Sequence, residues 1–446
     1  MCKVRSDTIT LPYGKKRKNC YKISFISDTF AAFFKRAYEL VNQGTQMQKE
    51  ILVFIIGVLF SILPLGYAIA SDHGDSGCDL HGHEDFDAGS TALHHIADAN
   101  VYSIGPFNIP LPCIIYEPGN GWQFFSSSRF DIGHHGDGHM SYNGFVLDGG
   151  TIRKVVDPDF PGGQVDIAGF KHTKEDGVFT SYACHDGNLY LTEAKSTADF
   201  GLFGGGITSF YDFSLTKNTV SIILVFFFLS WLFLSVAKAY KTREGQAPTG
   251  LQNFMEPIFL FMQDEVCKPF LGPLWEKYLP LIMSLFFFIL GLNLFGQIPF
   301  LGGSNVTGNL AVTMVLAIIA FIVTNVSGNA HYWKHILWPP GVPLYVKVIL
   351  VPVEIMGIFI KPLTLMLRLF ANITAGHMVI IVFISLIFIF GNSGESLGGS
   401  LGAAVGSMLL SLFMMAIELI VAFVQAFVFA ILTASYIGAA TEEAHH

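Results

Sequence analysis

Charge is scarce in this chain. Asp, Glu, Lys and Arg make up 13% of the 446 residues, about half the share of a soluble domain, and mean hydropathy is +0.51. An ordinary soluble globule is excluded. Positive charge is the scarcer sign: 26 Lys and Arg stand against 34 Asp and Glu, a net charge of −8, which argues against nucleic acid as a partner. The six cysteines include no CxxC pair, so no zinc ribbon or thioredoxin-like site is readable. No GxxxxGK[ST] segment occurs, which excludes a phosphate-binding loop of that type. A free-standing secondary transporter would show two similar halves, and no such repeat is found.

The composition changes along the chain, and the changes divide it. Residues 1–46 are basic and polar, with Lys15-Lys16-Arg17-Lys18. Met47-Gln-Lys49-Glu50 and an apolar run from Ile51 to Ile69 follow, closing on Ala68-Ile-Ala70. Read from Met47, residues 47–70 have the proportions of a secretory signal peptide cleaved after Ala70. The alternative is an uncleaved anchor helix. On this reading 1–46 is an upstream extension, with Met47 the start of translation.

Residues 71–215 are rich in Gly, Asp, His and Pro and are expected to form a small β-rich region outside the cytoplasm. Gly144-Phe-Val-Leu-Asp148 and Asn188-Leu-Tyr-Leu-Thr192 read as strands. Gly149-Gly150, Asp157-Pro158 and Asp186-Gly187 read as turns. Ten of the fifteen histidines lie here, and His134, His135 and His139 are the best-spaced candidates for a transition-metal site. A solvated polar surface, or a disordered His/Asp-rich lead-in, is the favoured reading, and no metal or other cofactor is assigned. Cys78, Cys113 and Cys184 allow at most one disulfide and leave one free thiol within the region.

From about residue 216 the pattern is that of an α-helical multi-pass membrane protein. A crossing needs about 20 apolar residues. Five such stretches are expected: about 220–237, 278–300, 309–324, the run through Phe390, and 401–439. Residues 251–273 mix apolar and acidic positions at helical spacing and read as a surface amphipathic helix. Lys238, Lys241, Arg243, Lys334 and Lys347 fall on one side, whereas the loops at 301–308 and 391–400 have no Lys or Arg. By the positive-inside rule those loops are outside, and the C-terminus is cytoplasmic.

Polar residues inside the apolar runs carry the chemistry. Glu354, Lys361 and Arg368 recur every seven residues, a spacing that drifts only about 20° per step around a helix. Asn372, four past Arg368, joins that stripe. His377, nine past Arg368, falls half a turn round and points away. Ser411, Glu418 and Gln425 form a second seven-residue stripe in the last helix. A guanidinium cannot shed its proton. A carboxylate among apolar neighbours must be paired, wet or protonated. Two such stripes on helices joined by a short loop read as an ion path.

Leu365-Met-Leu-Arg368-Leu-Phe-Ala-Asn372-Ile-Thr-Ala-Gly376-His377 resembles the signature of the a subunit of rotary ATP synthases. Asn293-Leu-Phe-Gly-Gln-Ile-Pro299, Thr307-Gly-Asn-Leu-Ala-Val-Thr313 and the Glu418–Gln425 helix are similar to further blocks, in the right order. The resemblance covers about 216–446 and not 1–215. It implies a non-catalytic stator in the bacterial inner membrane, beside a ring of c subunits, with b subunits of the peripheral stalk and the catalytic head as further partners. It implies two offset half-channels for protons, sodium being the less favoured ion, separated by Arg368. Gln425 corresponds to a glutamine facing Arg368 and the ring, Asn372 and Asn309 to polar positions near the outer path, and Glu354 to a carboxylate near the cytoplasmic path. His377 and Glu418 occupy two sites where many bacterial members carry the acid and the imidazole the other way round. The region 71–215, periplasmic on this reading, departs from the family. A membrane-anchored extracellular metal-binding or sensor protein would make that region the point, but leaves Arg368, Glu418 and Gln425 without a role.

Overall fold

The computed structural model describes residues 97–104, 107–133, 137–175, 178–197, 206–298, 304–390 and 397–442. The signal-peptide segment 47–70, the extension 1–46, Cys78 and the candidate ligands His134 and His135 lie outside the described residues.

Among the described residues, ten strands precede the long helices. β1 (Val101–Ile104) and β2 (Phe107–Pro110) form a hairpin. β3 (Pro112–Glu117) and β4 (Gly121–Ser126) pair with the short β10 (Tyr211–Asp212) in the order β10-β3-β4. β5 (Phe145–Asp148), β6 (Thr151–Val155), β7 (Gly169–Glu175), β8 (Val178–His185) and β9 (Asn188–Glu193) make a sheet in the order β5-β6-β9-β8-β7. The expected strands at 144–148 and 188–192 are β5 and β9. Their hairpins turn where the sequence supplies residues that tolerate positive φ. Gly149 and Gly150 have φ of 54° and 78°, and Asp186 and Gly187 have 48° and 80°, the twist that matches two-residue hairpins. Phe130, Phe145 and Phe210 are fully buried, with Ile115, Leu147 and Ile152, between the sheets. Cys184 is disulfide-bonded, its partner lying outside the described residues. Cys113 is a free, buried thiol whose pKa burial pushes up to about 12.

A buried ionic cluster ties β5, β6, β7 and β8 together. Ser181 Oγ donates to Asp148 Oδ2 at 2.7 Å. Arg153 Nε lies 3.0 Å from the same oxygen, and His172 Nε2 lies 3.4 Å from Oδ1. Burial pushes the Asp148 carboxyl up, but the hydrogen bond and charge of His172, with Arg153 and Ser181, hold it below the usual carboxylate range. The hydrogen bond to Asp148 raises His172, and burial opposes it. A raised folded-state pKa means that this contribution to stability is full below the unfolded value of about 6.5 and is lost as pH rises through the folded value. The β region of the full chain is therefore expected to resist proteolysis better at pH 6 than at pH 9, and His172→Gln to flatten that dependence. An equally steep profile in the variant would assign the effect to other groups.

The chain passes into helix without a linker. Thr216 caps α1 (Lys217–Thr242), the Lys217 N–H donates to Ala99 O at 2.8 Å, and the Asn218 N–H donates to Asp98 Oδ1 at 3.1 Å. The β region is thus fastened to the first turn of α1. α2 (Leu251–Phe261), a π-turn (Met262–Cys267) and α3 (Lys268–Leu271) lead to α4 (Trp275–Gly296). α5 (Leu310–Ser327) and α6 (Ala330–Leu337) precede the two longest helices, α7 (Leu344–Phe390) and α8 (Leu397–Thr441). Among the described residues five helical stretches are long and apolar enough to cross a membrane, at 217–242, 251–296, 310–327, 344–387 and 402–441.

Residues 251–261 form an amphipathic helix with Gln252, Met255 and Phe259 on its buried side, and the turn after it goes deeper. Met262, Val266 and Cys267 are fully buried in the helical core, and the backbone at Phe270 touches α8 so closely that a Cβ at Gly438 would fall 2.0 Å from its carbonyl oxygen. The π-turn places Met262, Gln263, Val266 and Cys267 on the buried side. Leu251, Phe254, Phe261 and Phe270 stay exposed. The two longest helices also exceed a simple crossing. The 47 residues of α7 extend about 70 Å at 1.5 Å per residue, against a hydrocarbon core of about 30 Å, so α7, which contains Pro352 and Pro362, must incline, bend or run beyond the core.

Candidate functional site

α7 and α8 pack as an antiparallel hairpin, and the site lies along their seam. Gly376 makes it possible. A Cβ there would stand 3.0 Å from Glu418 Oε1, so glycine leaves room for the carboxylate. Glu418 is buried and pairs with Nδ1 of His377. The pair is set from the α4 side as well. Gln297 Nε2 donates to the Glu418 carbonyl at 2.9 Å, and Asn293 Nδ2 donates to the Ala422 carbonyl at 3.1 Å. Thr307 Oγ1 donates to Asn293 Oδ1 at 2.7 Å, and Thr374 Oγ1 donates to Gly308 O at 3.3 Å. The uncharged loop before α5 is thereby folded in against the pair. Ser304 Oγ and Asn305 Nδ2 are buried in that loop with no protein partner among the described residues. Buried polar atoms of that kind are ordinarily satisfied by water.

A Cβ at Gly296 would stand 2.7 Å from the Ser304 carbonyl oxygen and 3.8 Å from His377 Nε2. Gly296 thus lets helix, loop and imidazole meet, and backbone on the other side cannot yield cheaply. Gly296→Ala is expected to cost about 1–3 kcal/mol as overpacking, read as a lower midpoint of thermal unfolding in detergent. An unchanged midpoint would show that the loop is free to move.

A second polar cluster lies further toward the start of α7. Lys361 Nζ sits 5.4 Å from the centre of the Tyr436 ring. Thr324, Asn325, Tyr332, Lys361 and Tyr436 line a cavity of about 20 Å³ between α5, α6, α7 and α8, room for one water. Tyr332 Oη donates to Asn325 Oδ1 at 3.5 Å. Burial and the charge of Glu354 both push the Tyr332 phenol up, which puts Glu354 within electrostatic reach of the cavity.

Arg368 lies between the clusters. Lys361 and His377 are sixteen residues apart on α7, about 24 Å along the axis. The contacts His377–Glu418 and Lys361–Tyr436 fix the register of the hairpin and bring Gln425 within a turn of the level of Arg368. Arg368 and Asn372 are exposed on the open side of α7, and Gln425 is buried on α8. No carboxylate pairs with Arg368 among the described residues. Leu363 and Leu367 on α7 and Leu419, Ile420 and Val424 on α8 are exposed.

Glu418 is met by His377, half a turn from Arg368, while Arg368 faces outward. Asn309 caps α5, its Oδ1 accepting from the Ala311 N–H at 2.9 Å, so this side chain is held by the helix end. Of the histidine candidates, only His139 is described, and it is exposed. No cluster of three metal-ligating side chains occurs among the described residues. Sequence reasoning missed Gly296, Gly376, Ser304, Asn305, Tyr332 and Tyr436. Ser304-Asn305-Thr307 beside an apolar run was the available signal for the loop; nothing local marks the tyrosines or the glycines.

Residues 219–438 match the family model described as ATP synthase A chain. A second model, Domain of unknown function (DUF8433), matches residues 91–176. The chain is 41% identical over 185 residues to ATP synthase subunit a 2 of Prosthecochloris aestuarii, covering 40% of this chain and 55% of that protein. It is 39% identical over 186 residues to ATP synthase subunit a of Chloroherpeton thalassium, again 40% and 55%. With ATP synthase subunit a of Myxococcus xanthus the identity is 37% over 187 residues, 41% of this chain and 60% of that protein. The chain thus spans little more than half the length of these curated relatives.

Proposed function

Since residues 219–438 belong to the ATP synthase A chain family, we propose that this chain is the proton-conducting stator of a rotary ATP synthase. The observation that carries the reading is the outward-facing Arg368 between two separate polar clusters. The His377–Glu418 cluster, with Asn372, Asn309, Ser304 and Asn305, forms the outer half-channel. Lys361, Tyr436, Tyr332 and Glu354 form the cytoplasmic one. The open apolar side of α7 and α8 carries the c-ring, and Gln425 lies beside the passing carboxylate.

The chemistry follows from electrostatics. A fixed guanidinium lowers the pKa of a ring carboxylate that comes level with it and makes it release its proton. The same cation repels a proton running straight from one cluster to the other. One charge moved through 100 mV is worth about 2.3 kcal/mol, so a leak at this point would dissipate the gradient. The imidazole of His377, paired with Glu418, can relay a proton to or from that carboxylate. The chain supplies no phosphoryl chemistry. That belongs to the catalytic head, which is held in register through the b subunits of the peripheral stalk.

The setting is the bacterial inner membrane. Lys and Arg mark one side as cytoplasmic, and that side includes the end of α8, where Thr441 O accepts from Asn329 Nδ2 at 2.9 Å. The β region sits at the opposite end of α1, in the periplasm, and its disulfide-bonded Cys184 suits an oxidising compartment. Purification from native membranes tests the assignment. The full chain is expected to co-isolate with c-ring, b and catalytic head subunits, and its isolation without them would reject it. Sequencing the N-terminus of the same preparation tests cleavage after Ala70.

A further inference from the structure

The β region has a face that its own core does not use. In the β10-β3-β4 sheet, Phe124 stands opposite Ile114, whose carbonyl accepts from the Phe213 N–H at 2.8 Å. Two residues further along the ladder, Trp122 and Tyr211 both stand opposite Tyr116. Side chains in register share a face, so Ile114, Tyr116, Trp122, Phe124, Tyr211 and Phe213 form one apolar surface. Trp122 packs on Tyr116, Phe124 and Phe213 with ring centres 5.0, 6.3 and 5.5 Å away. Trp122, Phe124 and Phe213 remain 55%, 71% and 47% exposed. On the β1–β2 hairpin, Phe107 and Ile109 are also exposed. The opposite face of β3 carries the buried Cys113 and Ile115.

The position of this surface indicates what covers it. Leu215 donates its N–H to Pro112 O at 3.2 Å, the next row of the same ladder, and α1 begins two residues later at Lys217. The Phe124–Phe213 row is therefore about 7 Å, and the Trp122–Tyr211 row about 13 Å, from that base along the strands at 3.3 Å per residue. The polar interface of a bilayer is about 5–8 Å deep on each side of the hydrocarbon core. The nearer row thus lies close to headgroup height even if the strands stand upright, and both rows reach it if they incline. The domain cannot swing away as a whole, because Ala99 and Asp98 hold the first turn of α1. Trp and Tyr are the residues that favour this zone, one end apolar and the other polar.

Building on the reading that α1 crosses the membrane, we propose that this aromatic face, with the β1–β2 hairpin, rests on the outer surface of the lipid bilayer around the point where α1 goes in. The neighbouring cleft lined by Glu117, Asn120, Gln123, Asn143 and Lys154 offers no comparable ligand signal. Its polar groups bond one another: Lys154 to Glu117, Gln123 to Glu117 and Asn143 to Gln123.

Photo-crosslinking tests this in the full chain reconstituted into phosphatidylcholine–phosphatidylglycerol vesicles. A benzophenone amino acid replaces, one at a time, Phe124, Phe213, the exposed Asp186 of the β8–β9 turn, and the exposed Phe227 of α1. Lipid adducts are expected at 124, 213 and 227, and none above background at 186. Adducts to a second copy or another subunit at 124 and 213, no adduct at either, or lipid adducts equally at 186 would each overturn the proposal. Loss of lipid adducts at 227 would overturn it together with the crossing of α1. Adducts at 227 alone would overturn only the contact of the β region.

Discussion

Replacing Arg368 with alanine is expected to abolish ATP-driven proton pumping and ATP synthesis in the assembled complex, leaving ATP hydrolysis by the released head. The physical reason is specific to this position. Arg368 is exposed on the open side of α7 and is bonded to no carboxylate among the described residues. Its removal therefore leaves the packing of α7 and α8 intact, and a surface substitution of this kind shifts stability by only about 0.5 kcal/mol. What is lost is the cation that drives the ring carboxylate to give up its proton and blocks passage between the clusters. Vesicles carrying Arg368→Ala should show no acid-interior formation with ATP, at unchanged subunit stoichiometry. Arg368→Lys is not a conservative rescue, because an ammonium is a strongly hydrated point charge whose pKa falls on burial. Wild-type pumping in the alanine variant would reject the stator reading outright. The sensor reading predicts no effect on either activity.

Glu418→Gln is expected to lower proton flux by about a hundredfold or more, the usual range for removing a positioned acid–base group, while keeping the shape of the site. Glutamine fits the space left by Gly376 and can still bond to His377, but it cannot carry a proton. Glu418→Ala removes volume and partner together, and breaking a buried pair on one side costs about 3–5 kcal/mol, so that variant would confound stability with flux. His377→Ala should lower flux as well. Combined with Glu418→Gln it should add little, because two residues acting as one relay are not additive. Strictly multiplicative losses would place the two on separate paths. Flux at the wild-type rate in Glu418→Gln would remove the pair from the path altogether.

The sequence could nominate Arg368, Glu418 and Gln425 because cost is local. A guanidinium or a carboxylate inside an apolar run is unfavourable wherever the run folds, so its presence calls for a reason before any contact is known. The five helical stretches were legible for the same cause, since length and hydropathy act residue by residue. Strands β5 and β9 could be read from β-branched and aromatic residues bounded by Gly and Asp. For 251–273 the amphipathic pattern shows one buried side but not its partner, which is α8, approached at Gly438.

What the sequence determined by itself is which residues bear charge inside the apolar stretches, and their spacing along each helix. The opposite directions of Arg368 and His377 follow from nine residues of helix. Only the tertiary structure decided what those directions meet. His377 meets Glu418, 41 residues away in sequence, Lys361 meets Tyr436, and Arg368 pairs with no carboxylate among the described residues. Those pairings depend on the register of two long helices and on glycines that let them close, and neither is encoded by any short stretch. The aromatic face of the β region is of the same kind: Trp122, Phe124 and Phe213 are distant in sequence, and only the ladder β10-β3-β4 gathers them beside the first turn of α1.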